Sequence, residues 1–164
     1  MTKKANRTNE LTDVQRQVLR QFRLIYGSIR QHFREVEKQC GISGSQVWIL
    51  REVATTPGTG VSRLAKRLSI HQSTCSLLVE KMVGAGLVAK TRSAEDQRRV
   101  GLEVTPAGNR LLKKAPGPAE GLLPEALSQL SDDSLRTLSV NLGQLINHLT
   151  MRNERDAEKP LSDL

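Results

Sequence analysis

Between Thr59 and Gly108 the apolar pattern runs helix, turn, helix, strand, loop, strand, and few folds accommodate that order. Val61, Leu64, Ala65 and Leu68 recur at steps of 3 and 4, the inner face of a short amphipathic helix. A tight polar turn follows, then a second helix from Gln72 to Val83. Ile70, Leu78, Val79 and Met82 supply the surface that faces the first helix, so the pair can lock at a fixed angle. Gly86 is placed to stop the second helix with a left-handed residue. Leu87–Arg92 and Arg99–Thr105 have strand character, with Asp96-Gln-Arg-Arg99 at the loop between them. A helix pair followed by a basic hairpin predicts a winged helix-turn-helix: mainly α, with a small β-hairpin wing.

The flanks of this unit predict helices too long for its core. Leu11, Val14, Val18, Phe22, Ile25, Ile29, Phe33 and Val36 form one stripe on a single helix reaching Cys40. At about 1.5 Å per residue that helix spans about 45 Å, so its stripe is expected to meet a partner. Gly41 ends it, and Ser43 or Ser45 can cap the next helix, which carries Val47, Trp48, Leu50 and Val53. Thr55–Gly60 reads as a loop. Beyond the hairpin, Thr105-Pro106 makes a helix start, and Pro116, Pro118 and Pro124 predict a break. Ser131 starts a last helix with the stripe Leu135, Leu138, Leu142, Leu145 and Leu149. The expected plan is a loose basic N-terminus (1–9), a dimerisation helix (10–40), the winged unit (43–108), C-terminal dimerisation helices (109–151) and a charged, fraying tail (152–164). Leu11, Val14 and Val18 with Leu138, Leu142, Leu145 and Leu149 are the candidate homodimer interface.

Charge narrows the partner. The net charge of +8 favours an acidic one, and its distribution matters more than its sum. Lys and Arg outnumber Asp and Glu ten to five over residues 1–60 and nine to four over 61–110. Over 111–164 they are outnumbered eight to six, so the positive field belongs to the winged unit and what precedes it. Aromatics make up only 2% of the chain, which suits packed helices better than a sandwich. Cys40 and Cys75 fall in different elements, with no spacing that suits zinc, so no metal or cofactor is expected. The N-terminus has no apolar run behind its charges, and no segment approaches the roughly 20 apolar residues of a membrane span. A reduced, cytoplasmic protein without membrane contact is expected. No nucleophile–base pair or phosphate loop stands out, so an enzyme is the remotest reading.

On this fold the second helix of the pair is the one that enters the major groove. Its outer N-terminal face holds Gln72, Ser73, Thr74 and Ser76, whose amide and hydroxyl groups suit base edges. Lys90, Arg92, Arg98 and Arg99 crowd the hairpin, where an arginine at the tip can enter a narrow minor groove. Asp96 is positioned to hold one of those arginines by a charge-assisted bond. A double-stranded DNA operator is the expected partner.

The chain resembles the MarR-type (multiple antibiotic resistance regulator) transcriptional regulators. The family's wing pattern, Asp-x-Arg followed by Leu-x-x-Thr-x-x-Gly, stands here as Asp96, Arg98, Leu102, Thr105 and Gly108. The order of helices matches from Leu11 to Leu149. The resemblance implies a homodimeric repressor on a pseudo-palindromic operator, released by a small and often phenolic ligand. It places an effector between the dimer helices and the reader, where Tyr26, His32, Trp48 and Arg51 are the candidate liners and an aromatic acid the candidate ligand. Two departures stand out: many relatives have Arg where this chain has Leu77, and the Pro116-Gly-Pro118 cluster interrupts a helix that is often continuous. The alternatives are a constitutive or architectural DNA-binding protein, an oxidant sensor using Cys40 or Cys75, and a protein-interaction module whose winged helix does not read DNA.

Overall fold

The computed structural model describes residues 11–92, 100–118 and 121–163. Among them are seven α-helices and one two-stranded antiparallel sheet. Helix α1 (Asp13–Cys40) is the long first helix. Thr12 and Gln15 close a reciprocal capping box at its start, and Gly41, at φ 69°, ends it in the left-handed region that glycine adopts without strain. Helix α2 (Gly44–Thr55) is capped by Ser43, the first of the two serines considered. Helices α3 (Val61–Leu68) and α4 (Gln72–Gly84) form the predicted pair, and strands β1 (Val88–Arg92) and β2 (Val100–Val104) form the hairpin. Val88 pairs with Val104 and Arg92 with Val100.

The main core lies within this central unit, and α1 adds Val36 as its one buried residue. Ile49, Leu50 and Val53 from α2 meet Leu64 and Leu68 from α3, Cys75, Val79 and Met82 from α4, and Leu102 from β2. Their periodicities differ, but each element turns its apolar positions to the same point. The loop at Thr55–Gly60 contributes more than composition suggests. Thr59 bridges to Leu102, and Gly58 N–H donates to the Leu102 carbonyl at 2.9 Å, so the loop pairs with the free edge of β2. Gly101 permits this, since a Cβ there would lie 2.8 Å from the Gly58 carbonyl oxygen.

After the wing, helix α5 (Pro106–Leu112) is short, and the proline-rich stretch separates it from α6 (Leu122–Ser128) as the break predicted. Helix α7 (Asp132–Asn147) starts on a Ser131 cap, but it ends before Leu149, the last member of the expected stripe. The segment from Arg152 was expected to fray. It instead makes two 3-10 turns, Glu154–Glu158 and Leu161–Asp163, and lies against the body of the protein. Ser45 N–H donates to Ser162 Oγ at 3.3 Å, and His71 N–H donates to the Glu158 carbonyl at 3.0 Å. The reason is tertiary: the tail finds polar partners at the starts of α2 and α4.

Candidate nucleic-acid interface

The α3–α4 pair is held by the interlock of Leu64, Ala65 and Leu68 with Leu78, Val79 and Met82, all buried. The turn between the helices is tight because Ser69 adopts φ 54°, letting Ser69 N–H reach the Lys66 carbonyl and Ile70 N–H the Ala65 carbonyl. This is a Schellman cap with serine in the place usually held by glycine. The end of α4 repeats the geometry with a glycine. Gly86 has φ 69°, its N–H reaches the Val83 carbonyl, and Leu87 N–H reaches Met82 at 2.9 Å.

The wing is rooted where α4 ends. Thr105 caps α5 by accepting from Gly108 N–H at 3.1 Å, and its hydroxyl donates to the Gly86 carbonyl at 2.6 Å. Thr105 N–H also donates to the Leu87 carbonyl at 3.1 Å. Gly108 lies so close that a Cβ would sit 2.3 Å from the same Leu87 oxygen. The Thr-x-x-Gly pattern is therefore a knot: one hydroxyl and one missing side chain tie the reading helix, the wing and α5 together.

Along α4 the structure separates the four reading candidates. Gln72 is exposed at the helix start, and Thr74 and Ser76 are half-buried. Ser73 is exposed, but its hydroxyl lies 2.7 Å from His71 Nδ1, which also accepts from Ser73 N–H at 3.3 Å. His71 is thus the N-cap of α4, a role not expected of it, because histidine is not a usual cap. The side of α4 opposite its buried stripe also carries Leu77 and Glu80, both exposed. Glu80 is engaged by the Lys90 ammonium from β1 at 2.5 Å. The pair is exposed on both sides, so it places Lys90 beside the outer face of α4 without fixing it there. Arg92 is exposed at the end of β1, while Asp96, Arg98 and Arg99 lie outside the described residues.

A cavity of about 640 Å³ is walled by α1, α2, α6, the tail and the α3–α4 turn at Leu68, Ser69 and Ile70. His32 and Trp48 line it, together with Ile29, Phe33, Leu123 and Leu127. The other two candidates do not. Tyr26 stands 63% exposed on α1, with the Arg30 guanidinium over its ring, and Arg51 is exposed on α2. Tyr26 shares the helical face of Phe33, and Arg51 that of Gly44 and Trp48, but each lies about one turn beyond the cavity along its helix. Gly44 lets the Phe33 ring lie on the start of α2, where a Cβ would meet Cδ1 at 2.5 Å. Burial lowers the His32 pKa, against a smaller raising effect from the Pro118 backbone, so its imidazole is favoured in the neutral form. The Trp48 indole N–H is buried without a partner among the described residues. Two cations reach the cavity from the tail, and each already has an acid: Arg152 pairs with Glu154 at 3.0 Å and Lys159 with Asp156 at 2.7 Å.

The cysteines occupy different settings. Cys75 is fully buried in the core and its thiol is pushed up to about 11 by burial. Cys40 is half-buried at the end of α1, and burial raises its pKa more than nearby Lys114 lowers it. No group of three or more potential metal ligands occurs among the described residues. None of the helices described is long and apolar enough to cross a membrane.

Residues 40–99 match the family model described as MarR family. The chain is 22% identical over 111 residues to the HTH-type transcriptional repressor MdtR of Bacillus subtilis, covering 68% of this chain and 72% of that one. It is 24% identical over 129 residues to the homoprotocatechuate degradative operon repressor of Escherichia coli, covering 79% and 85%. Among solved structures, a MarR family transcriptional regulator from Streptomyces coelicolor in complex with DNA superposes with a TM-score of 0.57 at 20% identity, over 93% of this chain and 98% of that one. The winged helix architecture and the MarR-type resemblance read from the sequence are borne out.

Proposed function

We propose that this chain, a MarR-type winged helix-turn-helix protein, is a homodimeric, sequence-specific DNA-binding repressor that a small ligand releases from its operator. The observation that carries the reading is the state of α4. It is a helix locked by its buried side, with Gln72 and its polar neighbours exposed at the N-terminal end that a reading helix presents to bases. The relatives named as repressors support the sign of regulation. The exposed stripes of α1 and α7 support two copies, since each helix extends beyond the core of one chain. Two copies set the separation of two reading helices, which must approach about 34–36 Å to meet successive major grooves. A ligand that prefers another separation lowers DNA affinity by its differential binding to the two states.

The cavity between α1, α2 and α6 supplies a place for such a ligand. Its composition favours a small, mainly apolar, uncharged molecule with an acceptor for the Trp48 indole N–H. An aromatic acid fits less well, since Arg51 does not line the cavity and Arg152 and Lys159 are already paired. The oxidant-sensing alternative is weakened by Cys75, whose buried, poorly ionised thiol is a slow nucleophile.

The test is binding to a genomic operator and to random duplex at matched salt. Gln72→Ala should relax sequence preference more than it lowers affinity for random DNA. Arg98→Ala, at the wing, should weaken operator binding substantially while leaving the dimer intact. Equal losses by Gln72→Ala on both duplexes would reject base readout by α4.

A further inference from the structure

Leu77 is 66% exposed, and its place sets it apart from the other exposed apolar side chains. Most of those lie on α1, on α7 or in the segment after it, where long apolar stripes face outward together. Leu77 lies on α4, directly opposite the buried stripe of Cys75, Leu78, Val79 and Met82. Its neighbours one turn away on the helix are Ser73, Thr74, Glu80 and Lys81, so it belongs to no apolar patch of its helix. A protein partner would need such a patch. One leucine standing among hydroxyls and a paired acid suits a surface that is polar except at one point.

The major groove is such a surface. Among its base edges, the C5-methyl of thymine is the apolar group, and apolar side chains recognise it by contact. Of the two charges one turn away on this face, Lys81 favours the approach of DNA and Glu80 is paired with Lys90. We infer that Leu77 is a specificity-determining residue that packs on a thymine methyl, fixing thymine at one position of each half-site. The inference rests on the proposal that α4 reads bases. It gives a function to the side chain that stands where many relatives carry arginine: a polar contact is exchanged for an apolar reading of thymine.

The test uses sites enriched from a randomised duplex library by the full-length protein. Each thymine of an enriched half-site is replaced in turn by uracil, which removes the methyl and keeps every hydrogen-bonding group. The wild type should lose about fourfold in affinity at one thymine, the value of one buried methyl-sized group. Leu77→Ala should bind the thymine and uracil duplexes equally, while Gln72→Ala keeps the discrimination. An enriched site at which uracil is tolerated at every position would overturn the role of Leu77 and leave base readout standing. Failure to enrich any sequence would overturn both. Because Leu77 packs against nothing in the core, the alanine variant should keep the wild-type unfolding midpoint, which separates lost recognition from lost structure.

Discussion

The winged unit and the outer helices solve the problem of burial in opposite ways. From α2 to β2 the chain encloses its own core, in which Ile49, Leu50, Val53, Leu64, Val79 and Met82 are essentially without solvent contact. Helix α1 is longer than any element of that unit, yet Val36 is its one buried residue among those described, and α7 has none. Every residue of α1 from Asp13 to Ser28 is exposed. The lesson is one of division. The part proposed to touch DNA encloses its own core, so its surface is free to follow the demands of recognition. The part proposed to set spacing leaves its apolar stripes exposed, as the proposed second copy would require.

The largest test of this contrast is a pair of glycines. Gly108→Ala forces a Cβ against the Leu87 carbonyl and the Val104 side chain, and should destabilise the unit by about 3 kcal/mol or more. Gly27→Ala, on α1, meets nothing within 4 Å and should stabilise by somewhat under 1 kcal/mol through helix propensity. Chemical denaturation of both variants measures the difference. If Gly108→Ala unfolds at the wild-type midpoint, the knot at the root of the wing is not a constraint.

Association should respond next. Val18→Glu combined with Ile25→Glu puts four carboxylates into a symmetric interface and should weaken dimerisation more than about a hundredfold. Sedimentation velocity should then report monomers, while circular dichroism keeps a cooperative helical melt from the winged unit. Loss of that melt would mean that the unit is not self-sufficient.

A smaller effect is expected at the turn. Ser69→Gly removes a left-handed strain of about 1 kcal/mol and should raise the melting temperature by about 2–4 °C. The smallest effect concerns His32. Its folded pKa lies below the ordinary 6.5, so the native state binds fewer protons than the unfolded one. The stability it contributes is full above 6.5 and is lost as pH falls below that value. His32→Phe should flatten this slope between wild type and variant in pH-dependent thermal melts.

What could be read in advance was local. Helix stripes, the Ser43, Thr105 and Ser131 caps, the glycine stop at Gly86 and the proline break are written within a few residues of where they act. What escaped reading depends on contacts distant in sequence or on residues in unusual roles. Ser69 holds a position that glycine usually marks, and His71 caps a helix in the place of Ser, Thr, Asn or Asp. The pairing of Thr59 with β2 and the docking of the tail join segments far apart in the chain, so no local period announces them. At the candidate site, Gln72 shares the helix phase of the buried Cys75 and Val79, and it is exposed because it stands at the first position of α4. The hydroxyl of Ser73 and the ammonium of Lys90 look equally available in sequence, and only the folded neighbours show both already engaged.

The knot of Gly86, Thr105 and Gly108 bears on how such readers can be exchanged. A chimera that transplants α3 and α4 alone from a relative would cut between the Gly86 carbonyl and the hydroxyl that holds it. One that ends its insert within β2 would separate Thr105 from the hairpin it anchors. The unit that can be moved intact runs from the start of α2 past Gly108, and a graft of new operator preference onto this scaffold should respect those borders.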